Sequence, residues 1–470
     1  MLTELEAALI ALLGRDGVAS DDAARRLYAS DALRPGRGFP GAAALHPAPQ
    51  WVVWPQSVAQ VQGLLRLANQ HRTPIVPYGG GSGLMGGAMP SRGGMVMDLR
   101  RMDRIRTVSP ADLTVTAEAG AVLAAVNAAL EPHSLFLGHD PWTVPVATVG
   151  GTISTDSLGY LGAAYGSMGD QVLGLEVVLA DGTLLNTRAV PRHATGPHLN
   201  RLFIGGEGCF GVITAATLRA APIPESRRLV AVEFPDFAAG FHAVCAMFAL
   251  GLHPAMVDYG EQLVSLSPDG WGPADPGAVM YLAFEGLTEV TAAQEARTIA
   301  ICTAHGGERD AGEEAQDFWD RRHFPAERFA LARAESGTAP FLQPQPGPRV
   351  DFLHMAVPAS QVLPFRAWCL DRTAQHGVQV REFGLWNRPE LFSLVLVAPE
   401  DAVDGLAAAS DAILQHAQDL GGSMEYVHGA GLRLAHLMPR ELGPGLEVLK
   451  GIKRQLDPNL ILNPGKLGLS

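Results

Sequence analysis

Three glycine-dense segments and one histidine loop hold the residues whose types and spacing point to chemistry. The first segment is Pro77-Tyr78-Gly79-Gly80-Gly81-Ser82-Gly83-Leu84-Met85-Gly86-Gly87. Gly81, Gly83 and Gly86 satisfy G-x-G-x-x-G after the strand-like Ile75-Val76, the spacing of a dinucleotide fingerprint. That fingerprint must open a helix whose N-terminus receives the pyrophosphate. Gly87, Pro90, Gly93 and Gly94 forbid a helix, so the nicotinamide-binding reading fails here. Successive glycines can instead turn consecutive backbone N–H groups toward one point and make an anion nest without a helix. A plain turn would not need so many residues with so high an entropic cost. The second segment runs from Gly138-His139-Asp140-Pro141 to Thr148-Val149-Gly150-Gly151-Thr152-Ile153-Ser154-Thr155. Its small and hydroxyl-bearing residues admit a flat ring system against the backbone and offer donors to a polar edge. In the third, Leu202 to Thr214, Glu207 and Gly211 lead into a strand containing Ile213, and the glycines again permit close backbone contact. The histidine is His428, in Met424-Glu425-Tyr426-Val427-His428-Gly429-Ala430-Gly431. An imidazole near neutral pKa suits removal of a hydroxyl proton, although a histidine in a glycine loop also serves as a structural residue.

The elements that must position these residues follow from periodicity. Ser57 with Gln60 is a capping pattern, and Val58, Val61, Leu64, Leu65 and Ala68 follow at helical spacing. With strands at 51–54 and 75–76 this makes a β-α-β unit that ends at the glycine loop. Short strands are expected at 95–99, 105–108 and 113–117, a helix at 122–130, and a hairpin over 172–186 turning at Asp181-Gly182. Residues 138–169 form a long Gly/Ser/Thr-rich tract. Beyond Pro222 and Pro224 a strand–helix pattern covers 229–305 and resumes over 351–420, as in one antiparallel sheet covered by helices. We therefore divide the chain into an N-terminal helical segment (1–48), a cofactor domain (49–224), a cap (225–425) and a C-terminal segment (426–470).

Composition excludes other classes. With 470 residues the chain exceeds one ordinary core, and 47% hydrophobic against 18% charged residues is a globular balance. A net charge of −13 argues against a nucleic-acid partner. The four cysteines are dispersed with no C-x-x-C pair, which excludes an iron–sulfur centre or a structural zinc. The first residues carry acid where a secretory signal carries base, and no run approaches the roughly 20 apolar residues of a membrane span. A cytoplasmic protein without a membrane span is expected, assembled as a homodimer.

Taken in order, the β-α-β unit, the glycine loop, Thr148-Val149-Gly150-Gly151 and Gly206-Glu207-Gly208 through Gly211-Val212-Ile213-Thr214 resemble the FAD-binding domain of the vanillyl-alcohol oxidase and p-cresol methylhydroxylase (PCMH-type) superfamily. The tail Leu462-Asn463-Pro464-Gly465-Lys466 is also similar. The resemblance covers residues 45–470. It implies an α+β fold: a PCMH-type FAD-binding domain of two α+β lobes, plus a cap domain with an antiparallel sheet under helices. It implies FAD held by Pro77, Tyr78, Gly79, Gly80, Gly81, Ser82, Gly83, Pro141, Thr148, Gly150, Gly151, Ser154, Thr155, Glu207, Gly211, Ile213 and Asn463. The glycine loop has no histidine or cysteine to link a flavin, so FAD is expected to be non-covalent.

Two subgroups look nearest, the FAD-linked D-lactate and glycolate dehydrogenases and alkyldihydroxyacetonephosphate synthase. The dehydrogenases carry a His-x-Gly-Asp-Gly-Asn-x-His segment in the cap that helps bind a metal. The corresponding 383–390 here has no histidine, so no metal is expected. The synthase has three adjacent histidines where this chain keeps only His428. The expected activity is oxidation of a small hydroxy acid or related alcohol by hydride transfer to flavin. His428 acts as base, Arg322 pairs with a substrate carboxylate, and Trp386, Arg388 and Tyr426 line the pocket. The electron acceptor is left open. The alternatives are an alkyl transferase of the synthase type and a flavin-binding subunit of a larger complex.

Overall fold

The computed structural model of the chain describes residues 3–45, 47–267, 270–274, 277–344 and 346–469. Helix Glu4–Leu13 is capped by Thr3 Oγ1, which accepts the Glu6 N–H at 3.1 Å, and it packs on helix Val58–His71. The latter begins where the capping pattern places it. Ser57 Oγ accepts the Gln60 N–H at 3.3 Å, and the Gln60 side chain turns back to the Gln56 N–H at 2.7 Å. Val61, Leu64, Leu65 and Ala68 form its buried face.

Trp51–Val53, Met95–Asp98 and Ile75–Tyr78 run parallel in one sheet, and Val18–Ala19 closes its edge antiparallel to Trp51–Val53. A second, fully antiparallel sheet has the order Ile105–Ser109, Thr114–Glu118, Val212–Arg219, Val172–Val178, Leu184–Asn186. The Gly/Ser/Thr-rich tract contains helix Val149–Thr155, packed against both Thr114–Glu118 and Val212–Arg219. Its glycines disfavour a helix by propensity, but tertiary packing overrides that preference. A Cβ on Gly150 would come within 2.8 Å of the Ala119 Cβ, so only glycine lets the helix seat on the sheet.

The remaining large sheet is antiparallel, in the order Glu308–Arg309, Ser226–Phe234, Ala278–Gly286, Met256–Gln262, Gln379–Trp386, Leu391–Ala398, Arg349–Ala356. Helices Phe237–Ala249, Thr288–Ala304, Val362–Gln375 and Val403–Asp419 pack on it. Its central strand Met256–Gln262 is absent from the sequence reading, because Asp258, Gly260 and Glu261 interrupt the apolar alternation. Val257, Tyr259 and Glu261 are buried, while Asp258 and Gly260 between them are only partly covered. Helices Glu314–Arg321 and Phe324–Ser336 were likewise not foreseen.

After helix Gly445–Leu456 the tail returns to the first sheet. The Ile75 N–H donates to Ile461 O at 2.8 Å and the Asn463 N–H to Ile75 O at 2.9 Å. Buried Lys453 fixes the return, its Nζ donating to Cys209 O (2.7 Å), Leu462 O (2.7 Å) and Asp457 Oδ2 (2.6 Å). Among the described residues, no helix is long and apolar enough to cross a membrane.

Candidate cofactor and substrate site

Strand Ile75–Tyr78 delivers the glycine loop to the wall of a cavity, and no helix follows the loop. The loop is pressed against its neighbours so closely that side chains are excluded. A Cβ on Gly79 would overlap Thr148 Oγ1, and one on Gly80 would overlap the Val146 carbonyl. Thr148 caps helix Val149–Thr155, its Oγ1 accepting the Gly151 N–H at 3.3 Å, and the Ser154 hydroxyl donates to Gly150 O at 2.7 Å. Every residue predicted to hold the cofactor lines this one cavity except Asn463. The Asn463 Nδ2 donates to Gly87 O (2.8 Å) and Glu207 O (2.6 Å), so it braces the cradle from behind. A cavity walled by bare glycine backbone and hydroxyls on one part and by apolar side chains such as Leu99, Trp142 and Leu158 on another fits a phosphate-bearing cofactor with a flat ring.

His428 and Trp386 line the same cavity. The His428 loop is suspended from two carboxylates. Glu425 Oε1 accepts the N–H groups of Tyr426 (3.1 Å), Val427 (2.8 Å) and His428 (3.0 Å). Glu207 Oε1 accepts those of Ala430 (2.8 Å) and Gly431 (2.9 Å). Burial pushes both carboxyls up. At Glu207 burial prevails and the pKa rises to about 7. At Glu425 the neighbouring His428 and His354 and the Val427 N–H outweigh burial and hold it at about 2. The His428 Nδ1 lies 3.7 Å from Glu425 Oε1 and is buried, which leaves Nε2 as the nitrogen available to the cavity.

The structure corrects several expectations. Arg322 does not line the cavity: its Nε is bound to Asp140 Oδ2 at 2.8 Å and its guanidinium lies 3.7 Å from the centre of the Trp319 ring. Asp140 is held from the other side by His323 Nε2 at 2.9 Å. Arg388 points away from the site, paired with Glu390 at 3.3 Å and lying over Phe248 on a sheet-covering helix. Tyr426 stands behind the lining, edge-on to His354 with ring centres 5.8 Å apart.

The expectation of no metal rested on the absence of histidines from 383–390, but a different set of possible ligands comes together in the structure. Strand Arg349–Ala356 places His354 beside His428, ring centres 4.7 Å apart, and one ligand atom each of His354, Glu425 and His428 lie within 4.8 Å of one another. Burial and then His428 push the His354 pKa down to about 3, so its imidazole is neutral. His354 was missed because its only signal was a lone histidine in an apolar strand. Asp31 and Trp142 also line the cavity and were not singled out: Asp31 lies in the N-terminal segment read as helical and Trp142 in the Gly/Ser/Thr-rich tract.

A family model described as "FAD binding domain" matches residues 49–188, and one described as "FAD linked oxidases, C-terminal domain" matches residues 223–467. The chain is 28% identical to the glycolate oxidase subunit GlcD of Bacillus subtilis, covering 98% of this chain and 95% of that protein. It is 29% identical to the probable mitochondrial D-lactate dehydrogenase of Danio rerio, covering 89% and 84%. The fold matches the crystal structure of p-cresol methylhydroxylase with substrate bound at a TM-score of 0.78 and 20% identity, covering 99% and 96% of the two chains. The α+β, PCMH-type expectation therefore holds. The chain belongs to the FAD-linked oxidase family and is an FAD-binding oxidoreductase.

Proposed function

We propose that this flavoenzyme oxidises a small hydroxy acid or related alcohol, with FAD held non-covalently along the glycine loop and helix Val149–Thr155. One observation carries the reading: a single cavity joins the glycine cradle to His428 and Trp386. The names of the relatives, glycolate oxidase subunit and D-lactate dehydrogenase, support the substrate class. FAD, when bound, supplies the hydride acceptor. The chain's own work is to orient the carbinol against Trp386 and to take its hydroxyl proton on His428 Nε2, while Glu425 and Glu207 hold the loop. His428→Asn is expected to retain FAD but slow anaerobic bleaching by glycolate or D-lactate by about 100-fold or more. Bleaching at the wild-type rate would show that the base lies elsewhere.

A specific observation favours a second reading, in which His428 serves as a ligand and not as the base. No lysine or arginine is among the residues that line the cavity, yet a hydroxy acid brings a carboxylate. A divalent cation on His354, Glu425 and His428 would supply the missing charge. Metal analysis of the purified protein, with a chelator arm and His354→Gln, tests this. Full activity after chelation, with no bound metal, removes the cation. We further propose a cytoplasmic homodimer; light scattering that returns the mass of one chain would remove the dimer.

A further inference from the structure

Helix Val149–Thr155 ends in a turn to which no role has yet been given. Asp156, its C-cap, stands at φ of 48°, a left-handed conformation that a residue with a Cβ takes only when its surroundings require it. Here they do: Asp156 Oδ1 accepts the Ser167 hydroxyl at 2.6 Å and the Gly169 N–H at 2.8 Å. Ser157 follows with its backbone also fixed, its N–H donating to Thr152 O (3.1 Å) and its carbonyl accepting the Met168 N–H (2.9 Å). The turn thereby holds Ser157 in the wall of the cavity. Its neighbours in the chain belong to the part where His428 and Trp386 stand. Thr155 Cγ2 lies 3.6 Å from the place a Cβ on Gly429 would occupy, and the Tyr160 ring stacks on Trp386 with centres 5.5 Å apart.

Behind Ser157 stands His139, fully buried. Its Nε2 lies 2.9 Å from Ser157 Oγ, and its Nδ1 is buried with no partner among the described residues. Burial pushes its pKa down to about 4, so the ring is neutral: one nitrogen carries a proton and the other a lone pair. A proton on Nδ1 would leave a buried N–H unbonded, which costs more than an unbonded lone pair. The proton therefore sits on Nε2 and is donated to Ser157 Oγ. That direction frees the serine's own proton. The acceptor nearest to hand among the described residues is Thr152 O, at 3.4 Å long for a hydroxyl bond and already engaged by the Ser157 N–H.

We propose that Ser157 donates this hydrogen bond to an acceptor atom on the polar edge of the flavin ring, and that His139 is the positioning residue that aims it. A donor fixed in advance counts for more as its acceptor gains negative charge, so the pair favours the reduced over the oxidised cofactor. The assignment rests on the reading that the ring lies beside His428 and Trp386, and the test separates the two.

Apoprotein is titrated with FAD, riboflavin and ADP for wild type, Ser157→Ala and Ser157→Thr. Loss of one directed hydrogen bond is expected to raise the Kd for FAD and for riboflavin about fivefold to tenfold in Ser157→Ala, with recovery in Ser157→Thr and no change for ADP. The midpoint potential of the bound flavin is expected to fall by about 30 mV in Ser157→Ala, which is a further tenfold loss for the reduced form of a two-electron couple. His139→Leu is expected to reproduce both effects, and His139→Gln, whose amide can donate to the same hydroxyl, to spare them. A merely structural histidine would leave the potential unmoved in both. Unchanged riboflavin affinity and potential in Ser157→Ala overturn the assignment, and a rise confined to the glycolate concentration needed for half-maximal bleaching gives the hydroxyl to the substrate instead. Weakened ADP with unchanged riboflavin overturns the placement of the ring. Should Ser157→Ala not fold, Ser157→Cys, a weak donor of similar size, is held to the same outcomes.

Discussion

Glu207 shows how one residue serves two parts of the site. Its backbone sits at φ of 47°, a conformation a non-glycine residue adopts only when its surroundings require it. The requirement is visible on the other side: its carboxylate carries the N–H groups of Ala430 and Gly431, and a Cβ on Gly429 would lie 2.6 Å from Oε1. The loop that carries His428 therefore hangs from a residue that lines the cofactor cavity. Glu207→Gln keeps the volume but gives up half of the accepting oxygens. Turnover is expected to fall about tenfold while FAD content stays near wild type, reflecting one weakened charged hydrogen bond; kcat and flavin content measured together check this. At this scale the residues acting through their backbone were legible, since glycine and threonine patterns announce close approach. The arginines were not, because a long side chain reaches several partners and only the fold selects one. Arg322 found Asp140, and Arg388 found Glu390 on the wrong face of the sheet.

Among elements, the long periodic helices such as Val58–His71 and Val403–Asp419 lie where their apolar spacing places them. Two of the elements missed have a local preference that opposes their state. Val149–Thr155 contains two adjacent glycines, and Met256–Gln262 carries two acids in a central strand. A strand that its sequence did announce, Arg349–Ala356, also holds the molecule together. Asp351 on Arg349–Ala356 accepts from Arg37 Nε at 2.7 Å, from Ser410 Oγ at 2.8 Å and from Arg433 Nη2, all of them buried. It joins the N-terminal segment at Arg37, strand Arg349–Ala356, helix Val403–Asp419 and the segment following the His428 loop. Asp351→Asn leaves two buried guanidinium groups without their counter-charge, a loss of about 3–5 kcal/mol. A clear fall in the urea midpoint is expected, and an unchanged midpoint would show that the pairs carry little net stability.

For the whole molecule, pH dependence has an identifiable contributor. His139 is fully buried, its Nε2 2.9 Å from Ser157 Oγ, and burial pushes its pKa from 6.5 down to about 4 despite Asp140. Between these values the unfolded chain binds the proton and the folded chain does not. Stability therefore rises with pH across the window and is lost as pH falls from 6.5 through 4, by up to about 3 kcal/mol from this group. Unfolding measured from pH 4 to 7 should show a shallower slope in His139→Gln than in wild type. Parallel slopes would assign the acid sensitivity to other groups.

What the chain decides locally is the cofactor. Its binding uses backbone N–H groups, small residues and hydroxyls, and the need for them is written in consecutive positions at 77–83 and 148–155. Those positions stay together however the rest of the chain folds. The substrate end is decided only in three dimensions. His354, Glu425 and His428 meet because strand Arg349–Ala356 lies at one edge of a seven-stranded sheet, and the loop after helix Val403–Asp419 passes across it. The Ala356 N–H bonds Ser423 O at 3.1 Å and fixes that crossing. Arg333 reaches Gly81 only because helix Phe324–Ser336 and the segment after it dock on Leu27 and Ser30. Side-chain constellations of this kind depend on register and docking between distant segments, which no local spacing records.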